Sequence, residues 1–194
     1  EIQAAQKSRL PDLIELADIR GDLHVHTDET DGRDTLEDMV SAAQEKAYAY
    51  LAISNHSQHV SVAKGLDRKR LAQQIEKIDR LNAKTEDFII LKAIEVDILK
   101  DGSLDLPDDI LQELDVVIGA VHSDFRLSRQ KQTERILRAM DNPLFNILAH
   151  PSGRLINRRE AYEVDLERLI EAAGQRDCFM ELNAHPDRLD LNDV

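Results

Sequence analysis

What the chain lacks narrows it first. Cys178 is the only cysteine among 194 residues. No internal disulfide can form, and a reducing, cytoplasmic setting is expected. Basic charge is in deficit, with 25 Lys and Arg against 38 Asp and Glu, a net charge of −13. A surface this acidic cannot neutralise a phosphate backbone by bulk charge. Any role on nucleic acid must come from a local site or from a basic partner region. No apolar run approaches the ~20 residues that cross a bilayer, so no membrane partner is expected. No signal peptide opens the chain, and low-complexity tracts and close repeats are missing. The chain starts at Glu1 rather than Met, in mid-phrase, and reads as a fragment of something larger.

What is there describes a globular protein. Hydrophobic residues make up 42% and charged residues 32%, and the length suits one domain with a real core. Short apolar runs alternate with amphipathic helical patterns. Strands are predicted over 19–24, 50–54, 88–96, 116–121, 146–149 and 178–183. The first helix is marked by Leu36, Met39, Val40, Ala43 and Ala47, with a capping box from Asp34 to Glu37. The next starts near Asp67 and carries Leu71, Ile75, Ile78 and Leu81. Pro107 opens a short helix, and another over 129–140 stops before Pro143. Tyr162, Leu166, Leu169, Ile170 and Ala173 mark a helix closed by Gly174. The last five residues read as the start of a further helix. Strand–helix alternation implies an α/β fold with a parallel sheet, either doubly wound or a β/α barrel.

The polar residues favour the barrel. Of seven histidines, all but His59 lie at carboxyl ends of predicted strands. There His24, His26, His56, His122, His150 and His185 are joined by Asp31 and Glu95. A β/α barrel gathers its active site at this rim. A doubly wound sheet concentrates ligands at one switch point instead. Imidazole with carboxylate suits zinc, manganese or iron. His24 and His26 share one side of an extended strand. Glu95, a carboxylate in an apolar strand, needs a partner, and its two oxygens can bridge two ions. With His122 and His150 on adjacent strands, a paired-metal site for phosphoester cleavage follows. His59 reads as a solvated loop residue. Arg126, Arg154 and Arg188 follow the ligand-bearing strand ends. Each reads either as a surface ion-pair partner or as a clamp on substrate phosphate, with Arg154 and Arg188 the better candidates for the clamp. Ser57, Ser123 and Ser152 read as turn residues.

DLHVHT, TDG, the His of SNHS, the Glu of AIEVDIL, AVHS and LAHPSGRL follow the order of motifs in the PHP (polymerase and histidinol phosphatase) superfamily. SRLPDLIELADIRGDLHVHT, IEVDILKDGSLDLPDDIL, LAHPSGRL and ELNAHPDRLDL resemble more narrowly the C-terminal PHP domain of bacterial family X DNA polymerases. The resemblance implies a distorted seven-stranded, TIM-like β/α barrel holding two to three divalent ions, zinc or manganese. Residues 1–18 would be a linker from a polymerase region, and 19–194 the PHP domain. His24 and His26 would hold the first ion, with Glu95 bridging to a second completed by His122 and His150. Asp31 and His56 would serve the third, and Glu95, His56 and Asp31 would be the catalytic residues. The family closes its site with a late Asp-x-His pair on a seventh strand, before which this chain stops. The first and third ion sets would each lose a ligand. The second would be the best occupied, activity would be weak, and the open sheet edge would favour self-association. The implied activity is 3′–5′ exonucleolytic trimming of DNA in repair, with a DNA 3′ end as substrate and an N-terminal polymerase region as partner. The alternatives are a stand-alone phosphatase of the histidinol-phosphatase type acting on a small monoester, and a scaffold with vestigial metals.

Overall fold

A computed structural model describes residues 2–192. Six strands form one sheet in the order β1-β2-β3-β4-β5-β6, and every neighbouring pair is parallel. They are β1 (Gly21–Val25), β2 (Tyr50–Ile53), β3 (Ile89–Asp97), β4 (Val116–Ala120), β5 (Ile147–Leu148) and β6 (Phe179–Met180). Sequence order and spatial order coincide, so the winding never reverses, as it must in a doubly wound sheet. The described residues thus form six units of a β/α barrel type, without a seventh strand among them.

β3 is the hinge of this arrangement. Its first half, Ile89 to Lys92, pairs with β2, and its second half, Ala93 to Asp97, pairs with β4. Side chains alternate along it. Ile94 and Val96 face the helices, packing with Leu71, Ile75, Ile110 and Leu111. Ala93, Glu95 and Asp97 take the other face, which is also buried, as expected of a parallel strand covered on both sides. On β4, Ile118 and Ala120 cluster with Ile147 and Ala149. Gly119 is required beside them, because a Cβ there would lie 1.9 Å from the Phe145 ring.

The helices follow the predicted periodicity, with corrected ends: α1 (Ile2–Gln6), α2 (Leu36–Glu45), α3 (Arg68–Asn82), α4 (Asp108–Leu111), α5 (Arg129–Met140) and α6 (Leu166–Gln175). The cap of α2 is Thr35 with Asp38, whose side chains bond each other's backbone N–H reciprocally, rather than Asp34 with Glu37. A threonine hydroxyl one residue later reaches the free N–H groups better placed for it. Ala47 lies beyond α2, at a left-handed φ of 57°. α6 starts at Leu166, capped by Asp165, so Tyr162 is a buried loop residue. Gly174 lies inside α6 rather than closing it, and Ile170 is exposed. β5 and β6 are two residues each, shorter than predicted. Of the predicted final helix, Asp190 is buried and bridges to Asn183, and the last two residues lie outside the described range. Residues 2–20 are exposed almost throughout.

Arg135 on α5 ties two strand ends together. It is 2% exposed. Its Nε donates to Leu99 O at 2.9 Å, its Nη1 to Ser123 O at 2.9 Å, and its Nη2 to Ile98 O. These carbonyls lie just past Asp97 and His122. Arg135→Met is expected to lower the unfolding free energy by about 3 kcal/mol in urea titrations, since it strands buried acceptors. A loss below about 1 kcal/mol would mean that the tie is dispensable.

Candidate metal centre

Glu95 is the centre of the site. Its side chain is 1% exposed, and its two oxygens divide five imidazoles between them. Oε2 lies 3.4 Å from His24 Nε2, 3.2 Å from His26 Nε2 and 2.8 Å from His56 Nδ1. Oε1 lies 3.3 Å from His122 Nε2 and 2.9 Å from His150 Nε2. Asp31 joins from the loop after β1, with Oδ1 2.7 Å from His26 Nδ1 and Oδ2 3.3 Å from His56 Nε2. Three trios bring one ligand atom each within 4.8 Å of one another: His24–His26–Glu95, His26–Asp31–His56 and His56–Glu95–His122. His150 meets this cluster through Glu95.

Backbone geometry explains the convergence. Each ligand lies within the last three residues of a strand or in the loop that follows one, and parallel strands of one sheet end on one rim. The loop after β1 is fixed by a buried network. Thr27 N donates to Asn55 Oδ1 at 2.8 Å, and Asn55 Nδ2 donates to Thr27 Oγ1 at 2.9 Å and Gln74 Oε1 at 2.7 Å. Val25 N donates to Ser54 Oγ at 2.9 Å. His150 sits at the tight turn after β5 with a left-handed φ of 28°.

Carboxylates behind the imidazoles set their orientation. Glu181 Oε1 lies 2.6 Å from His24 Nδ1, and its Oε2 accepts from His150 N at 2.7 Å. Asp97 Oδ1 accepts from His122 N at 3.1 Å and lies 3.0 Å from His122 Nδ1. Such pairs leave Nε2 aimed into the site, the arrangement that orients metal-ligating histidines. Burial alone would lower the His24 pKa, but Glu95 and Glu181 outweigh it and raise it to about 10. Burial likewise opposes His56, and Asp31 and Glu95 on either side carry it to about 9. Burial opposes His122 too, yet Glu95 and Asp97 raise it, whereas full burial dominates at His150 and lowers it. For Glu95 burial favours the neutral acid, but the surrounding imidazoles hold it well below the usual range.

The other predicted residues fall as follows. Arg188 lines the pocket, of about 270 Å³, together with Asn183 and His185. Arg154 does not line it; its guanidinium donates to the carbonyls of Arg188 and Leu189. Arg126 has no place in the pocket lining. His59 is about half exposed and 3.6 Å from Asp97 Oδ2. Ser57 donates to Asp105 at 2.6 Å and Ser152 to Asp190 at 2.8 Å, while Ser123 O is held by Arg135. Sequence reasoning did not single out Asp97 or Glu181. Asp97 carried a signal, since it stands two residues after Glu95 and so on the same face of β3.

Comparison with known proteins agrees with this geometry. The family model "PHP domain" matches residues 22–185. The chain belongs to the PHP family. It is 48% identical over 180 residues, 93% of its length, to the DNA polymerase/3′-5′ exonuclease PolX of Bacillus subtilis. The chain spans 32% of that relative. It is 36% identical over 104 residues, 52% of its length and 39% of the relative's, to a probable phosphatase of Caldanaerobacter subterraneus subsp. tengcongensis. A probable phosphatase of Thermoanaerobacter sp. strain X514 is 29% identical over 171 residues, 84% of this chain and 63% of the relative.

The PHP centre has the donor set of a metal site. Glu95 Oε2, His26 Nε2 and His56 Nδ1 are buried and make no hydrogen bond among the described residues, although both nitrogens lie within 3.2 Å of Oε2. Close but unaligned donors of this kind fit a shared cation rather than one another. Glu95→Gln is expected to cut bound divalent metal by more than half in elemental analysis and to abolish hydrolysis, with the fold retained. Unchanged metal content would overturn the bridging role. Metal removal by chelation is expected to cost about 2.7 kcal/mol of stability at metal concentrations near a hundred times Kd. The ligands must shed protons to bind a cation, and His24 and His56 hold theirs to about 10 and 9 without it. The stabilisation should therefore shrink from pH 8 to pH 6, measured as the shift in thermal midpoint with added manganese.

Proposed function

We propose that this PHP domain is a metal-dependent phosphoesterase that trims DNA 3′ ends as a 3′–5′ exonuclease. It would act in repair synthesis, in the cytoplasm, beside a polymerase region of the same polypeptide to which residues 1–18 are the linker. One observation carries the hydrolase reading. A fully buried glutamate offers an unbonded oxygen to three imidazole nitrogens, and Arg188, whose Nη1 has no hydrogen-bond partner among the described residues, lines the same pocket.

Two to three divalent ions, zinc or manganese, fit the donors. His24, His26 and Glu95 would hold the first, Glu95, His122 and His150 the second, and Asp31 with His56 the third. Such ions supply Lewis acidity toward a phosphate ester and lower the pKa of water. The chain's own residues do the rest. Glu95, His56 and Asp31, which we take as the catalytic residues, line the pocket, with the Glu95 and Asp31 carboxylates supplying negative charge on either side of the His56 ring. Asp97 and Glu181 keep the His122 and His24 rings from turning. Arg188 Nη1 is buried and lacks a hydrogen-bond partner among the described residues, so it can donate to a phosphoryl oxygen. We assign it as the substrate phosphate contact. His24, His26 and Asp31 keep part of their side-chain surface in solvent, so a polynucleotide can reach the pocket. The acidic surface, with its net charge of −13, leaves duplex binding to a basic polymerase region.

The similarity to the PolX relative favours DNA, while the probable phosphatases keep a second reading, a phosphatase acting on a small monoester. Manganese-loaded protein should release nucleotides from a 3′-end-labelled recessed DNA at least about tenfold faster than it cleaves p-nitrophenyl phosphate, a difference of about 1.4 kcal/mol in barrier. Turnover of the monoester alone would establish the phosphatase reading instead.

A further inference from the structure

Arg188 comes from a loop, and a phosphate contact on an unsupported loop would be imprecise. The loop is held by an unusual concentration of polar contacts to one other segment. Arg154 Nε and Nη2 donate to Arg188 O at 3.1 and 2.9 Å, and Nη2 also donates to Leu189 O. Asp190 is 1% exposed. Its Oδ2 accepts from Ser152 N at 3.0 Å, Ser152 Oγ at 2.8 Å and Gly153 N at 3.1 Å. Ile156 N donates to Asp187 O at 2.7 Å. All these partners sit in the turn that follows His150.

That turn is itself rigid. Gly153 has a φ of +63°, and a Cβ there would lie 2.3 Å from the buried Tyr162 ring. Arg159 donates to Gly153 O at 3.0 and 2.8 Å and stacks over Phe125 at 4.1 Å. Buried or charge-assisted bonds to main-chain groups fix loop geometry far better than surface ion pairs do.

We propose that Arg154 and Asp190 are positioning residues that clip the 183–190 loop to the His150 turn and thereby aim Arg188 at the metal pocket. The assignment rests on the reading of Arg188 as the phosphate contact. It gives Arg154 a different duty from the substrate clamp that its sequence position suggests. Two of its nitrogens are committed to backbone carbonyls, and the residue does not line the pocket. The spatial link matters because His150 and Arg188 come from different strand–loop units. The clip makes a metal ligand and a substrate contact move as one piece.

The test is a double-mutant cycle read by calorimetric binding of inorganic phosphate to the metal-stripped chain, with metal uptake and urea unfolding of each variant as controls. Arg188→Ala should weaken phosphate binding about tenfold, the loss of one charge-assisted hydrogen bond. Arg154→Ala should weaken it about five- to tenfold, and the double variant no further than Arg188→Ala alone. Arg154→Lys keeps the charge but loses the planar fork, and should show about a threefold loss. Asp190→Asn should also weaken binding and be silent on the Arg188→Ala background. Metal uptake should stay at the wild-type level throughout. If Arg154→Ala does not fold, Arg154→Lys and Asp190→Asn carry the same cycle. Additive losses would overturn the clip, because Arg154 would then act on phosphate directly. Unchanged phosphate binding in the folded Arg154 and Asp190 variants, with Arg188→Ala still impaired, would also overturn it. So would loss of metal uptake in those variants, which would mark a brace for the His150 turn alone. No effect of Arg188→Ala would remove the phosphate-contact reading itself, and the clip with it.

Discussion

A carboxylate with almost no solvent access governs this molecule. Removing the Glu95 charge from water costs on the order of several kcal/mol unless partners restore what water gave. Five imidazoles surround it, and they reach it from the ends of β1, β2, β4 and β5 or the loops that follow. No single strand–helix unit could supply them. The parallel sheet with all its carboxyl ends on one rim is the arrangement that lets residues so distant in sequence meet around one side chain.

The imidazoles create a second problem. Five rings crowded round one acid would compete and rotate if each had two free nitrogens. Glu181 and Asp97 take up one nitrogen of His24 and His122, and Asp31 takes one of His26. The outer acids thus restrict the inner rings, and the buried Asn55–Thr27–Gln74 network restricts the backbone beneath them. Support comes from both depths, from the fully buried Asp97 behind His122 and from the half-exposed Asp31 beside His26.

Much of this was legible in the sequence because two simple periodicities carried it. The apolar runs gave all six strands, and the histidines at their ends gave the ring around Glu95. Matters that depend on the path of a loop were not legible. Thr35 rather than Asp34 caps α2 because the hydroxyl, not the nearest acid, meets the free N–H groups. Gly174 continues α6, since glycine is permitted in a helix as well as at its end. Glu181 lies beyond a two-residue strand too short to show alternation. Arg154 follows a ligand-bearing turn, yet its guanidinium faces carbonyls of a loop more than thirty residues further on, which no local pattern encodes.

The way β3 divides its hydrogen bonds has a bearing on how the protein is made. Its first half belongs to the β2 side and its second half to the β4 side, with Glu95 just past the changeover. A chain leaving the ribosome can pair β1, β2 and the start of β3 early. The charge at residue 95 then waits on His122 and His150, which are synthesised later. Parallel pairing of this kind closes long loops and is slow by nature. Until β4 and β5 dock, the nascent domain carries an acid with only part of its retinue, so the assembled cation-binding rim marks the completion of folding.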